Sequence, residues 1–351
     1  MYFSLFYASF FVPMHPEMQY LGELISLGVA FSWTIAALAS EVGSRRLGVF
    51  VMNVWRMGVA LLLSALLLWL TLGVPYPAYA GGATWGWLLL SGVVGYFFGD
   101  WCLFNSYLTI GSRMGQLLMT LAPMFAALAA WVMIGQTLAP SSLIAMAVTL
   151  AGIAISVLGR STDGHHVKVD MPLKGLLFGI GAALGQGVGL VLSKIGLDHY
   201  TQDIAAHLTS LNPQLSTLNP QLSSLNPQLS TLNPETILPF ASNMIRCVAG
   251  LLCFALWLVL SGHAGRMRES LHERRGLLAM LIAVFSGPFI GVGFSLMAVQ
   301  HTAAGIASTL MATTPIIILL PSKWLFHQPI TLRAVAGALI SVVGVSLFFL
   351  L

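Results

Sequence analysis

Apolar residues run through this chain in long stretches that are apolar on every side, broken by short polar turns. Ten stretches stand out: 20–40, 49–72, 85–108, 113–135, 140–158, 173–195, 236–260, 276–299, 302–326 and 332–351. Each is close to the roughly 20 residues a helix needs to cross the hydrocarbon of a bilayer. Backbone N–H and C=O groups in lipid must bond within their own segment, so the stretches predict helices. A membrane barrel would need apolar and polar residues to alternate, and they do not. The expectation is an all-α integral membrane protein with ten transmembrane helices.

Two linkers are longer than a turn. Residues 160–172 are polar and fall near the middle of the chain. The other holds a seven-residue unit, Leu-Asn-Pro-Gln-Leu-Ser-Thr, which starts at Leu211 and recurs at Leu218, Leu225 and Leu232. A period of seven suggests a coiled coil, but each unit carries Asn-Pro, which disfavours helix at both residues. A low-complexity loop over 211–234 is expected, a repeat expansion without function of its own. Residues 1–19 form an N-terminal tail. Met1–Val12 is apolar but too short to span and has no basic region before it, so a signal peptide is not expected and Met14 or Met18 are alternative starts.

The two halves repeat each other. Phe50-x-x-Asn53-x-x-Arg56 in the second stretch returns as Phe240-x-x-Asn243-x-x-Arg246 in the seventh, 190 residues later. Gly95-x-x-x-Gly99 returns as Gly287-x-x-x-Gly291, and Met119–Pro123 as Met311–Pro315, both at an offset of 192. Gln136 and Gln328, then Gly152 and Gly344, keep that offset. The first stretch aligns with the sixth at 153, pairing Gly28 with Gly181, Trp33 with Gln186 and Ser40 with Ser193. Matches in one order indicate a duplication: a first repeat over 20–159 and a second over 173–351, the second carrying the heptapeptide loop. Five crossings per half is odd, so the second copy enters the membrane inverted. Inverted repeats are a recurrent transporter design, with the substrate near the bilayer midplane between the halves.

Composition agrees with lipid as the solvent. The chain is 57% hydrophobic and 7% charged, against about 25% charged in soluble domains. Its net charge of +4 rests on a few loop residues, so no nucleic-acid partner is expected. Arg45, Arg46, Arg113, Arg160, Lys168, Lys174, Arg266, Arg268, Arg274, Arg275 and Arg333 fall in odd-numbered loops, and Lys194 alone in the even loops and tails. The positive-inside rule then puts the odd loops in the cytoplasm and both termini outside. Cys102, Cys247 and Cys253 lie inside apolar stretches and suggest neither disulfides nor zinc.

These features resemble the drug/metabolite transporter superfamily, in particular its ten-helix EamA type. The resemblance rests on Arg56 and Arg246, on Pro123 and Pro315, and on the fifth stretches with Ala151-Gly152 and Val343-Gly344. It covers nearly all of 20–351 outside the heptapeptide loop. A Gly-Glu common after the fourth helix is replaced by Gly135-Gln136 and His327-Gln328, so no role for that carboxylate carries over. The resemblance implies a central cavity lined by the first four helices of each half, with the fifth and tenth peripheral and able to form a homodimer. It implies export or exchange of small metabolites across the cell (inner/plasma) membrane, and both termini inside, against the charge count.

Ionisable groups within a bilayer are costly and mark functional sites. Asp100 is the only deeply placed carboxylate. It reads either as a proton- or cation-binding group or as a structural acid paired with an arginine. Arg56 and Arg246 read as structural or gating residues, or as anion ligands. Glu23 and Glu41 lie near the ends of the first stretch, where solvation is expected. Trp33, Asn105, Gln116, Gln186, Gln300 and Thr313 are candidate substrate-binding residues beside Asp100, the alternative being interhelical hydrogen bonds. Pro123 and Pro315 each free a carbonyl that Thr120, Thr313 or Thr314 could satisfy, and a bend there could act as a hinge. Gly181, Gly185 and Gly189 at four-residue spacing predict close helix packing. His165 and His166 with Asp163 and Asp170 could bind a metal, but a solvated linker is expected. No nucleotide loop, zinc-protease helix or nucleophile elbow occurs, so no cofactor is expected. A secondary transporter moving a small-molecule substrate is the favoured function. A lipid-linked sugar flippase, an intramembrane enzyme and a receptor or scaffold are the alternatives.

Overall fold

The structure, a computed structural model, describes residues 20–135, 140–160, 167–169, 172–218, 234–291, 294–295, 298, 310–327 and 330–350. The chain is helical almost throughout. In order the helices are α1 (Leu21–Leu47), α2 (Val49–Leu72), α3 (Gly82–Ser91), α4 (Trp101–Met119), α5 (Ala122–Ile134), α6 (Pro140–Val157), α7 (Leu173–Leu218), α8 (Pro234–Leu260), α9 (Gly265–Ser270), α10 (Arg274–Val284), α11 (Thr314–Ile317), α12 (Leu319–Phe326) and α13 (Leu332–Leu350). A π-helical segment over Gly92–Asp100 joins α3 to α4, and a second over Phe285–Gly291 continues α10. Among the described residues, six helical stretches are long and apolar enough to cross a membrane, and four shorter apolar helices accompany them. Large side chains such as Leu62, Trp69, Val132, Leu260 and Trp324 point outward. An apolar exterior on this scale suits lipid rather than water.

Several elements depart from expectation. The third and fourth stretches are parted by one residue, Gly111, at φ 79° and ψ 158°. Gly48 does the same between α1 and α2, at φ 81° and ψ 154°. Only glycine adopts this backbone without strain. The chain folds back at Gly111, because Gln116 Nε2 donates to Tyr107 Oη at 2.7 Å. Nine residues along a straight helix would be about 13 Å apart. The two duplicated prolines start helices rather than bend them. Pro123 and Pro315 sit in the first turns of α5 and α11, where a missing N–H costs nothing. Thr314 Oγ1 does reach the carbonyl that Pro315 frees, that of Met311, at 2.9 Å. Thr120 instead bonds the Leu117 carbonyl at 2.6 Å.

The first heptapeptide copy is not a loop. The backbone of α7 stays helical to Leu218, through Asn212 and Pro213, because a helix already 38 residues long at Ser210 extends without a new nucleation cost. The all-α expectation has one small exception. Leu158–Arg160 and Val167–Val169 pair as an antiparallel ribbon, with Leu158 opposite Val169. Residues 219–233 of the heptapeptide region, Gln136, Gln300, Gln328 and the His165–His166 pair with Asp163 and Asp170 lie outside the described residues.

Helices of one half pack on helices of the other, and four of these pairs run antiparallel. On α7, Gly175, Gly185, Gly189 and Gly196 lie in turn against Thr109, Gly99, Gly95 and Leu88. On α1, Trp33, Ala36 and Leu47 lie against Gly291, Gly287 and Gly276. Phe50 of α2 stacks on Trp257 of α8, with ring centres 6.0 Å apart, and Met57 lies against Gly250. On α6, Thr149, Gly152 and Ser156 lie against Gly344, Ser341 and Gly337 of α13. In every pair the numbers rise on one helix as they fall on the other. The last contacts are also mates under the 192-residue offset: Thr149 with Gly344 repeats Ser341 with Gly152.

Candidate substrate site

The glycines bring the site together. A Cβ on Gly185 would lie 2.7 Å from the Gly99 Cα, and one on Gly189 2.8 Å from the Gly95 Cα. Only hydrogen at these four positions lets α7 touch the π-helical segment backbone to backbone, as the spacing on α7 predicts. Ser91 Oγ adds a hydrogen bond to the Gly189 carbonyl at 2.7 Å. π-helical turns are rare and concentrate at functional sites. Here the two occupy equivalent positions in the halves, Gly92–Asp100 and Phe285–Gly291.

Asp100 ends the first of them, 3% exposed. Its carboxylate forms an ion pair with Arg56 of α2 and accepts a hydrogen bond from Gln186 Nε2 of α7 at 3.0 Å. Gln186 also donates to the Gly95 carbonyl at 3.2 Å. The Arg56 guanidinium rests over the Phe104 ring, 4.9 Å from its centre. Its repeat mate Arg246 rests over the Tyr96 ring at 4.4 Å and brings a terminal nitrogen beside Gly95. The Tyr96 hydroxyl donates to Asn243, one turn before Arg246 on α8. Asp100 is thus bonded to one of two repeat-related arginines and within electrostatic reach of the other.

The sequence candidates divide into two groups. Asp100, Arg56, Gln186 and Arg246 converge. Trp33, the repeat mate of Gln186, takes the mate position: its indole lies against Gly291 as Gln186 lies against Gly99. Asn105 Nδ2 is turned back to the Trp101 carbonyl at 2.7 Å, and Thr313 Oγ1 to that of Leu310 at 2.6 Å. Gln116 is held by Tyr107. Sequence reasoning missed Tyr96 and Asn243 as site residues. The signal for Asn243 was available, since it belongs to the duplicated motif.

Glu41 is a correction. Expected to be solvated, it is fully buried at 0% exposure. One carboxylate oxygen accepts from Arg45 at 2.7 and 3.1 Å, and the other accepts the Ser112 N–H at 2.6 Å. The turn at Gly111 aims that N–H at α1, which is why a helix-end acid becomes buried. Beside it Arg46 pairs with Glu273 at 2.8 Å, joining the first half to the second at the odd-loop end.

Antiparallel pairing of membrane-length helices around a buried charged cluster defines a transporter-like membrane bundle. The profile of the EamA-like transporter family matches residues 20–158 and 222–350. The chain belongs to that family, as two repeats, and is a multi-pass membrane protein. A crystal structure of a protein shares 15% identity with it and a TM-score of 0.53, over 93% of this chain and 96% of that one, a likeness of fold. No curated protein matches the chain.

Proposed function

We propose that this protein is a secondary transporter of the cell (inner/plasma) membrane that exports or exchanges a small metabolite by alternating access. The observation that carries the reading is the Asp100–Arg56–Gln186 cluster, a charged site buried where the two repeats meet. Burying charge within a bilayer costs about 2.5–3.5 kcal/mol per residue on insertion scales, a cost that packing alone does not require. Ten crossings in two inverted halves complete the proposal, and the four antiparallel pairings support it. If crossings alternate within each half, antiparallel mates require the second half to be upside down. Rocking of the halves about the glycine contact between α7 and Gly95–Gly99 would expose the cluster to each side in turn.

The test is untargeted metabolite analysis of cells and medium. Cells overproducing the protein are compared with cells carrying Gln186→Leu or Asp100→Asn at matched membrane levels, and with empty vector. A compound released by the intact protein and reduced by both variants supports export through this site. Unchanged release in both variants removes the site from the mechanism.

One observation favours the flippase variant. A groove of about 450 Å³ runs between α5 and α7, lined by Ala126, Ala130, Leu190 and Lys194 among others. A single lysine in an otherwise largely apolar groove suits a lipid chain with an anionic headgroup. Scrambling of a fluorescent lipid-linked sugar in proteoliposomes, lost in Lys194→Glu, would replace the metabolite reading.

A further inference from the structure

The site's charges do not balance. Arg56 and Arg246 bring two positive charges to a place where Asp100 is the only acid. Among the described residues no other acidic side chain pairs with either arginine. Arg246 forms no ion pair or hydrogen bond among the described residues. Its guanidinium rests on the Tyr96 ring, and its buried Nε has no partner. The buried Nε of Arg56 has none either. Orphaned N–H donors on buried cations call for an acceptor that carries negative charge. The site lacks one negative charge, so a single-charged anion neutralises it and a dianion overshoots. Guanidinium forks bind a planar carboxylate through two parallel hydrogen bonds, and the Tyr96 ring fixes the plane of the Arg246 fork.

We infer that Arg246 is the anion-binding group of the site and that the solute carries a single carboxylate, which docks on it beside Asn243 and Tyr96. Asp100 stays on Arg56 and leaves Arg246 to the ligand. The repeat makes the two arginines equivalent in backbone position, and the lone carboxylate of Asp100 makes them different in function. This inference rests on the proposed role of the cluster as the substrate site.

Binding is measured on the full chain in phosphatidylcholine nanodiscs, as the ligand-dependent rise in melting temperature. The probes are benzoate, its neutral isostere benzamide, chloride and inorganic phosphate at matched ionic strength. Benzoate is expected to give a saturable rise and the other three none. Arg246→Gln is expected to weaken the benzoate response at least tenfold. Arg246→Lys, which keeps the charge but not the fork, should weaken it less and serves if Arg246→Gln is not recovered folded. Benzamide, chloride or phosphate acting as strongly as benzoate would overturn the assignment, as would an undiminished benzoate response in both variants or no response in the intact protein. Because binding needs no transport, loss of the benzoate response with export intact removes the carboxylate assignment alone. Saturable, Arg246-dependent binding without any export supports the assignment and counts against the transporter.

Discussion

Removing the charge of Asp100 should harm the protein more than removing that of its partner. Asp100 is 3% exposed, and the Arg56 side chain 12%. In Asp100→Asn the shape is kept, but two arginines remain in the site with no acid. Orphaning one member of a buried pair costs about 3–5 kcal/mol. In Arg56→Gln the carboxylate keeps the Gln186 hydrogen bond and stays within reach of Arg246, so the site is left neutral. The loss is then that of a charged hydrogen bond, about 1.5–3 kcal/mol. The double variant leaves one cation with Arg246 alone and should be more stable than Asp100→Asn, by about 2 kcal/mol on the same scale. Unfolding of purified protein in mixed micelles, followed by tryptophan fluorescence, gives the three differences. Asp100→Asn as stable as the parent, or less harmful than Arg56→Gln, would refute the charge accounting.

Three further expectations concern the scaffold. Glu41→Ala removes the acceptor of the Ser112 N–H and should cost about 1–3 kcal/mol, whereas Arg45→Ala, a half-exposed partner, should cost under about 1 kcal/mol; the same unfolding assay separates them. Gly185→Ala puts a methyl group 2.7 Å from the Gly99 Cα and should cost about 1–3 kcal/mol from overpacking, with Gly185→Leu failing to yield monodisperse protein in size-exclusion chromatography. Asp203 accepts from the Gly81 N–H at 2.8 Å and from Thr84 Oγ1 at 2.6 Å, capping α3 from a different helix. Asp203→Ala should cost about 0.5–2 kcal/mol and speed hydrogen exchange at residues 81–84 before it affects α7.

Much of this was readable from the sequence because lipid simplifies the problem. A membrane helix must be apolar along its whole length, so the stretches declare themselves. The duplicated Phe-x-x-Asn-x-x-Arg motif led to both arginines, and the scarcity of charge left Asp100 with few rivals. Glycine spacing on α7 identified the face that packs. Other features escaped because their cause lies in another element. A π-helical turn differs from an α-helical one by a single hydrogen-bond shift, which no residue pattern here signals beyond crowded glycines. Glu41 looked solvated because its partner, the Ser112 N–H, sits 71 residues away and is aimed by the turn at Gly111. Pro213 seemed to end a helix but does not, since α7 has enough length behind it to continue.

The central claim is that the cluster between the repeats opens to one side of the membrane and then the other. Gln186→Cys in a chain lacking Cys102, Cys247 and Cys253 tests it most directly. An impermeant thiol reagent is applied to right-side-out and to inside-out vesicles. The account expects labelling from both faces, at rates that shift in opposite directions when a transported solute is added. Labelling from one face only, whatever is added, would contradict alternating access and return the cluster to a structural role.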